Sequence, residues 1–253
     1  MKHTEHSITV CILTHRSDSL FLQSLESSQF APEVLILDHA SNNDWQALAK
    51  RFRFTVKKLD STSISNFGAV RNLALEVVTT DWIFFLDSDE SVSPNQAAVL
   101  LTLLDNPKAA GYTITRNDTF LGQPIRHAEG TIRLTRLMRK KRAKFVGKVH
   151  EKPTISGGVF HSSVHIAHHP HISITSFINK VSWYSRLAAA EKQSSAAQNF
   201  LELLWYPLGK FTYNYFVRAG WRDGWAGLSY CYIMSLHSLF VRINWYEKNI
   251  VQN

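Results

Sequence analysis

The chain has 253 residues, of which 45% are apolar and 19% charged, enough for a full core and too apolar for an intrinsically disordered chain. Two cysteines, Cys11 and Cys231, exclude a disulfide scaffold and a cysteine-based metal site, and both are expected to be reduced. The net charge of +8 fits a nucleic acid, an anionic membrane face or a phosphorylated substrate, without choosing among them.

Residues 7–13 form a short β-rich run whose apolar stretch is broken by Thr9; it is too short for a signal-peptide core and lacks a small-residue cleavage site. Residues 18–28 place Leu20, Phe21 and Leu25 on one helical face. Residues 34–37 make a second buried strand, ended by Asp38; 45–52 read as a helix and 54–59 as a strand. Residues 66–78 repeat Val70, Leu73, Ala74 and Val77 at helical spacing. Residues 82–86 are a continuous apolar strand ending in Asp87-Ser88-Asp89-Glu90, and Pro94 opens another helix at the first-turn position where proline is tolerated. This alternation predicts an α/β fold with a mostly parallel sheet and helices on both faces. Such sheets bind ligands beyond the carboxyl ends of their strands. Three polar clusters fall there: Thr14-His15-Arg16, residues 38–44, and residues 87–90.

From Gly111 the pattern changes. Residues 111–115, 132–138 and 164–167 read as strands separated by polar turns, with a basic stretch over 133–148. After the histidine-rich run 165–171, residues 172–198 read as a helix, Pro207 and Gly209 break the chain, and 210–248 is aromatic, basic and helix-compatible. No stretch of about 18 uninterrupted apolar residues is present; the nearest, 225–241, contains Ser229, Ser235, His237 and Ser238. The expected organisation is an α/β domain over 1–172 and a C-terminal helical extension over 173–253, in a cytoplasmic protein that touches a membrane at most peripherally.

Asp87-Ser88-Asp89 is the most informative local feature. In an extended chain, carboxylates at i and i+2 point to one side, and like charges held together favour a divalent cation such as Mg²⁺ or Mn²⁺. The plain alternative is a polar turn in which Asp89 caps a helix. The cationic run Arg139-Lys140-Lys141-Arg142-Ala143-Lys144 has no interleaved aromatics to stack bases, so no nucleic-acid partner is expected; it reads as a solvated turn or as a contact for an anionic lipid-linked acceptor. The tail sets Phe211, Tyr213, Tyr215, Phe216, Trp221 and Trp225 beside Arg218 and Arg222, which suits either an anionic bilayer surface or core packing. Gly220, Gly224 and Gly227 permit a turn or a close helix approach, and Asp223 is placed to cap the following helix.

Several segments taken together carry a resemblance. Phe67-Gly68-Ala69-Val70-Arg71-Asn72-Leu73-Ala74-Leu75 and Thr80-Asp81-Trp82-Ile83-Phe84-Phe85-Leu86-Asp87-Ser88-Asp89-Glu90 resemble the bacterial family 2 glycosyltransferases, and within them the lipopolysaccharide-core glucosyltransferase branch. Ile12-Leu13-Thr14-His15-Arg16 is similar to the family's first strand and nucleotide-binding turn, and residues 35–44 to its second strand, where a carboxylate recognises uridine. Arg136-Leu137-Met138-Arg139, Val149-His150-Glu151 and residues 220–227 resemble the branch's later elements. His39-Ala40 and the Leu-Thr-His-Arg turn depart from the family's usual residues.

The resemblance implies a GT-A fold and transfer, with inversion, of a sugar from a nucleotide-diphospho donor, UDP-hexose first. The acceptor would be a hydroxyl of a membrane-associated glycan or glycolipid such as the lipopolysaccharide core, met at the inner face of the cytoplasmic membrane. Transfer to a polyprenyl phosphate or capsule precursor, and a non-catalytic basic module for membrane or nucleic acid, are the alternatives. The implied donor contacts are Thr14, His15, Arg16, Asp38, Ser41, Arg71, Asn72, Asp87, Ser88, Asp89 and Arg136. Mg²⁺ or Mn²⁺ would sit on Asp89, with Asp87 beside it or on the ribose, and on His168, with His169 and His171 as competitors. Arg71 and Arg136 suit phosphate geometry and equally suit ion pairs. Glu151 is the first candidate for the base that takes the acceptor proton, Glu129 the second and Asp118 the third; the plain reading of Glu151 is an ion pair.

Overall fold

The structure is a computed structural model that describes residues 7–59, 66–120, 122–147, 151–169 and 173–251. Val149, His150 and His171 of the sequence reading lie outside the described residues. The chain forms two compact units, residues 1–116 with 133–168 and residues 117–132 with 169–253.

The first unit begins with four parallel strands: β1 (Ile8–Thr14), β2 (Glu33–Asp38), β3 (Thr55–Lys58) and β4 (Trp82–Asp87). Helices α1 (Ser19–Ser27), α2 (Trp45–Ala49) and α3 (Phe67–Val77) connect them. Each helix starts where a side chain accepts its free N–H groups: Asp18 for α1, Asp44 for α2, Asn66 for α3. After β4 come β5 (Glu90–Ser91), α4 (Pro94–Thr102), capped by Ser93, and β6 (Ala109–Phe120). Next are β7 (Gln123–Ile125), β8 (Thr131–Arg139), β9 (Ala143–Val146), β10 (Lys152–Ile155) and β11 (Gly158–His168). The sheet order is β3-β2-β1-β4-β8-β6-β11-β5, and β9 and β10 form a separate antiparallel pair. The sheet is thus parallel across its first four strands, while β8 joins β4, and β5 joins β11, antiparallel.

The unbroken apolar strands are explained by burial on both faces. Ile8, Val10, Ile12, Ile36, Trp82, Phe84 and Leu86 face one core with Phe21, Leu25, Ala97 and Leu100 of α1 and α4. The alternate residues Cys11, Leu35, Leu37, Ile83 and Phe85 face the other with Ala74 and Leu75 of α3 and Phe145 of β9. Each such side chain fully buried contributes about 1.5–3 kcal/mol. Thr14 stands opposite Asp38, and Leu13 opposite Asp87, so the strand ends share one edge.

α3 lies close against β9. The Asn72 side chain donates to the Phe145 carbonyl (3.0 Å) and accepts from its N–H (2.8 Å). A Cβ on Gly68 would run into the Gly147 carbonyl oxygen. Alanine favours a helix by up to about 1 kcal/mol over glycine, but forcing backbone apart costs about 1–3 kcal/mol. Gly68→Ala is therefore expected to lower the urea midpoint, and an unchanged midpoint would show that α3 yields freely.

The second unit is helical: α5 (Ile174–Glu191), α6 (Ala196–Thr212) and α7 (Gly224–Tyr246), with α5 and α6 both packed on α7. Phe120, Phe177 and Tyr230 stack at its centre, 5.4–6.1 Å between rings. Three expectations are corrected here. The helix expected over 172–198 is two helices, because Lys192 is extended and Ser195 caps a new start. Pro207 and Gly209 do not break the chain; both lie inside α6, which loses one hydrogen bond at the proline and is held by packing along α7. Asp223 stands at the start of α7 without capping it, because its carboxylate takes the His127 N–H (2.9 Å) and Nδ1 (2.7 Å). Among the described residues no helix is long and apolar enough to cross a membrane. The basic run forms the tight turn from β8 to β9: Arg139 stacks on Trp82 (4.5 Å), Lys140 donates to the Val78 carbonyl, and Lys141 and Arg142 face solvent.

Candidate active site

The carboxyl end of β4 carries a chain of alternating charges. Asp87 accepts from Arg136 Nη1 (3.2 Å) and Nη2 (2.5 Å), and from Arg71 Nη2 (3.1 Å). Arg71 turns its Nε to Glu151 Oε1 (2.9 Å). Arg136 Nη2 also reaches Glu90 Oε1 (2.9 Å), which lies 3.7 Å from Arg116 Nη1. Glu90 is fully buried, and its Oε2 accepts the Asp87 N–H (2.9 Å), closing the Asp87–Glu90 turn on itself. From behind, Ser24 of α1 donates to the Asp87 carbonyl (3.1 Å). α3 aims Arg71 across the rings of Phe85 (5.1 Å) and Phe145 (5.7 Å), which hold its guanidinium in place.

These neighbours set the charges. Burial raises the Asp87 pKa, but Arg136 and then Arg71 outweigh it and hold the carboxyl well below the usual range. Glu90 is lifted by burial, which Arg136 offsets only in part. Burial works against the Arg136 cation, yet Asp87 and Glu90 keep it firmly protonated. Arg71, Asp87, Arg136 and Glu151 line a cleft of about 490 Å³ with Arg133, Phe145 and Lys152.

The expected extended pair of carboxylates is not formed. Ser88 and Asp89 make a turn between β4 and β5, so Asp87 and Asp89 take different partners. Asp87, expected beside a metal or on a ribose, is held by two guanidinium groups. Asp89 Oδ2 lies 3.7 Å from His168 Nε2. The short pairing of β5 with β11 sets His168 opposite Glu90 and creates this contact. Burial raises the Asp89 pKa, while the hydrogen bond and charge of His168 more than reverse it. A carboxylate oxygen and an imidazole nitrogen so placed can hold a divalent cation as a two-ligand site, and the nitrogen favours Mn²⁺ over Mg²⁺, which takes oxygen ligands. Among the described residues no third His, Cys, Asp or Glu joins them, which leaves room for substrate oxygens and water.

The ends of β1 and β2 form a second group. Asp38 is buried and accepts from the Ser41 N–H (3.0 Å) and Trp45 Nε1 (3.3 Å). Asn43 Nδ2 joins the two loops, reaching the Arg16 carbonyl and Ser41 Oγ, both at 2.8 Å. Thr14 Oγ1 accepts the Arg16 N–H (2.9 Å), Arg16 pairs with Asp18, and His15 is exposed. Ala40 sits in the left-handed region (φ 54°), at the residue following His39.

Other expected residues stand elsewhere. Asn72 is committed on both sides of its amide to Phe145 and serves to anchor α3. Glu129 pairs with Lys210 (3.2 Å) in the second unit, and Asp118 lies in the part of β6 that belongs to that unit. His169 bonds Thr119 Oγ1 (2.8 Å) in that unit too. Sequence reasoning missed Glu90 as a working group, although it named the cluster that contains it; a two-residue strand leaves no periodicity to detect. It also missed Arg116 and Arg133, for which charge was the only signal.

A parallel half-sheet with charged clusters gathered at its strand ends defines a Rossmann-like α/β domain with its ligand edge there. The model of Glycosyl transferase family 2 matches residues 9–164, and the chain belongs to that family. It is 30% identical over 117 residues to a TPR repeat-containing protein of Synechococcus elongatus, covering 46% of this chain and 28% of that one. It is 32% identical over 110 residues to an uncharacterized glycosyltransferase of Mycoplasma pneumoniae, covering 39% and 36%. The chain thus spans about a third of the length of these curated relatives. Its fold is similar to that of the mannosyltransferase PcManGT from Pyrobaculum calidifontis, solved with GDP-Man and Mn²⁺ (TM-score 0.52, 12% identity, 96% of this chain and 87% of that one).

Proposed function

We propose that the chain is a metal-dependent, inverting hexosyltransferase that moves a sugar from a nucleotide-diphospho donor, UDP-hexose first, to a hydroxyl of a membrane-associated glycan or glycolipid. The lipopolysaccharide core is the acceptor suggested by the resemblance of residues 136–139 and 220–227, with the enzyme at the inner face of the cytoplasmic membrane. The observation that carries the reading is the charged cleft at the end of β4, where two arginines and a base candidate meet beside the Asp89–His168 pair. Membership of family 2 and a fold shared with a GDP-Man- and Mn²⁺-binding mannosyltransferase support it.

The residues divide the work. Asp38 and the loops tied by Asn43 receive the nucleoside. Arg71 and Arg136 orient the donor's phosphates, and Asp87 fixes both guanidinium groups at the required angle. A divalent cation on Asp89 and His168 would supply Lewis-acid charge to the diphosphate. Glu151 takes the proton of the acceptor hydroxyl as that oxygen bonds the anomeric carbon; the bond from that carbon to the diphosphate breaks, and the nucleoside diphosphate leaves with the electron pair.

Calorimetric titration tests the donor site. UDP and UDP-sugars are expected to bind with Mn²⁺ and to lose most of that binding when the metal is chelated or in Asp89→Asn. Binding that ignores both metal and substitution overturns the metal site. Failure of every UDP and GDP compound to bind overturns the donor reading.

A further inference from the structure

α6 is turned inside out for a helix in water. It buries Asn199 and draws Glu202 into ion pairs with Lys192 (2.8 Å) and Arg242 (3.3 Å). Its outer side presents Phe200, Leu201, Leu204, Trp205 and Leu208, each more than half exposed, with Trp205 at 70%. The spacing i, i+1, i+4, i+5, i+8 places these five on one continuous face. Soluble proteins seldom leave such a patch uncovered, so it marks a contact with something apolar.

Charge identifies the occupant. Three acids of this helical unit are engaged from within: Glu202 as above, Glu129 with Lys210, and Asp223 hydrogen-bonded to His127. Arg218 and Arg222, in the turns that continue from α6, have no acidic partner among the described residues. Exposed Trp221 and Trp225 flank Arg222. Leucines and tryptophans edged by uncompensated arginines match the boundary of an anionic bilayer, where indole rings sit at headgroup depth and guanidinium groups meet phosphate. No described helix is long and apolar enough to cross a bilayer.

From these observations we infer that the outer face of α6 lies in the interfacial layer of an anionic membrane, parallel to its plane, with Arg218 and Arg222 on the headgroups. The exposed residues thereby centre the lipid contact on α6 rather than on the tail's partly buried rings Phe211 and Tyr215. The inference deepens the proposed encounter with a membrane-bound acceptor and rests on that reading for its purpose alone; the surface is a property of the helical unit.

The test is flotation of the full chain with phosphatidylcholine vesicles, with and without phosphatidylglycerol. Wild type is expected to float with the anionic vesicles and to be released by salt. Leu201→Ser with Trp205→Ser changes only exposed positions, and is expected to keep the wild-type melting temperature while its vesicle partition falls at least about tenfold. Arg218→Glu with Arg222→Glu is expected to abolish the preference for anionic lipid. Wild type that stays with the pellet, or a serine variant that floats equally well, overturns the inference. So does a serine variant that turns a dimer into a monomer in sedimentation without changing flotation. Nucleotide-sugar titration of the same preparations separates the two readings, since loss of donor binding in wild type would remove the enzyme assignment and leave the flotation result standing.

Discussion

Glu151→Gln is expected to slow sugar transfer about 10²–10⁴-fold, the usual contribution of a positioned general base, while donor affinity stays near that of wild type. Glutamine preserves the shape and keeps an oxygen for Arg71 Nε, which Glu151 holds at 2.9 Å. It removes only the capacity to take a proton. A purely structural role predicts a different pattern: glutamine would then restore most of the rate, and Glu151→Ala would raise the donor KM by freeing Arg71. Single-turnover rates and donor titration on both variants distinguish these outcomes. Normal turnover in Glu151→Gln would remove Glu151 from the role.

Arg136→Met is expected to destabilise the protein by about 3–5 kcal/mol, the cost of leaving a buried ionic partner uncompensated. Arg136, like Arg71, touches two carboxylates, and one of its two, Glu90, has no access to solvent. Arg136→Lys should recover part of the loss, since lysine keeps the charge but cannot fork between Asp87 and Glu90. The pH dependence supplies an independent check. Asp87 is held below its ordinary value of about 3.9, so its contribution is present above that pH and is lost as pH falls through its folded value. Glu90 is raised, so its contribution is full below its ordinary value of about 4.3 and is lost as pH rises through its folded value. Without Arg136 both carboxyls hold protons more tightly in the folded state. The deficit in urea unfolding should therefore be largest near neutral pH and shrink on acidification. A deficit below about 1 kcal/mol at pH 7 would mean that the pairs are individually weak.

The parallel half of the sheet was legible because burial on two faces leaves an unmistakable mark: no polar residue interrupts Trp82 to Leu86, and the change to Asp87 announces the strand's end. The helices between those strands were legible from spacing, with Leu20, Phe21 and Leu25 on one face and Val70, Leu73, Ala74 and Val77 on another, and the structure adds the caps Asp18 and Asn66. The antiparallel half was harder. β6 runs on through Arg116, Asn117 and Asp118, whose polarity hides a strand that has lost one apolar face. β5 is two residues long and exists through its register with β11. In α6 the local signal pointed the wrong way, because proline and glycine on an outward side are tolerated when the other side is docked. At the site, the residue types at 71, 87, 89, 136, 151 and 168 were visible, but their pairings were not. That Arg71 would bridge Asp87 and Glu151, or that Glu90 would fold back on the Asp87 N–H, depends on side-chain directions that no spacing along the chain encodes.

The charge chain at β4 also bears on how the molecule comes into being. Asp87, Asp89 and Glu90 leave the ribosome well before Arg136, which pairs with the first and third, and His168, which faces the second. A nascent chain ending before β8 has the helices and strands of the parallel half, with Arg71 for Asp87, but lacks the guanidinium that joins Asp87 to Glu90. Contacts distant along the chain carry a loop-closure cost that local ones avoid, and non-local pairing is slow. The Arg136 end of the ligand edge therefore depends on the arrival of β8, and the group that completes it is one of the two guanidinium groups that would later hold the donor.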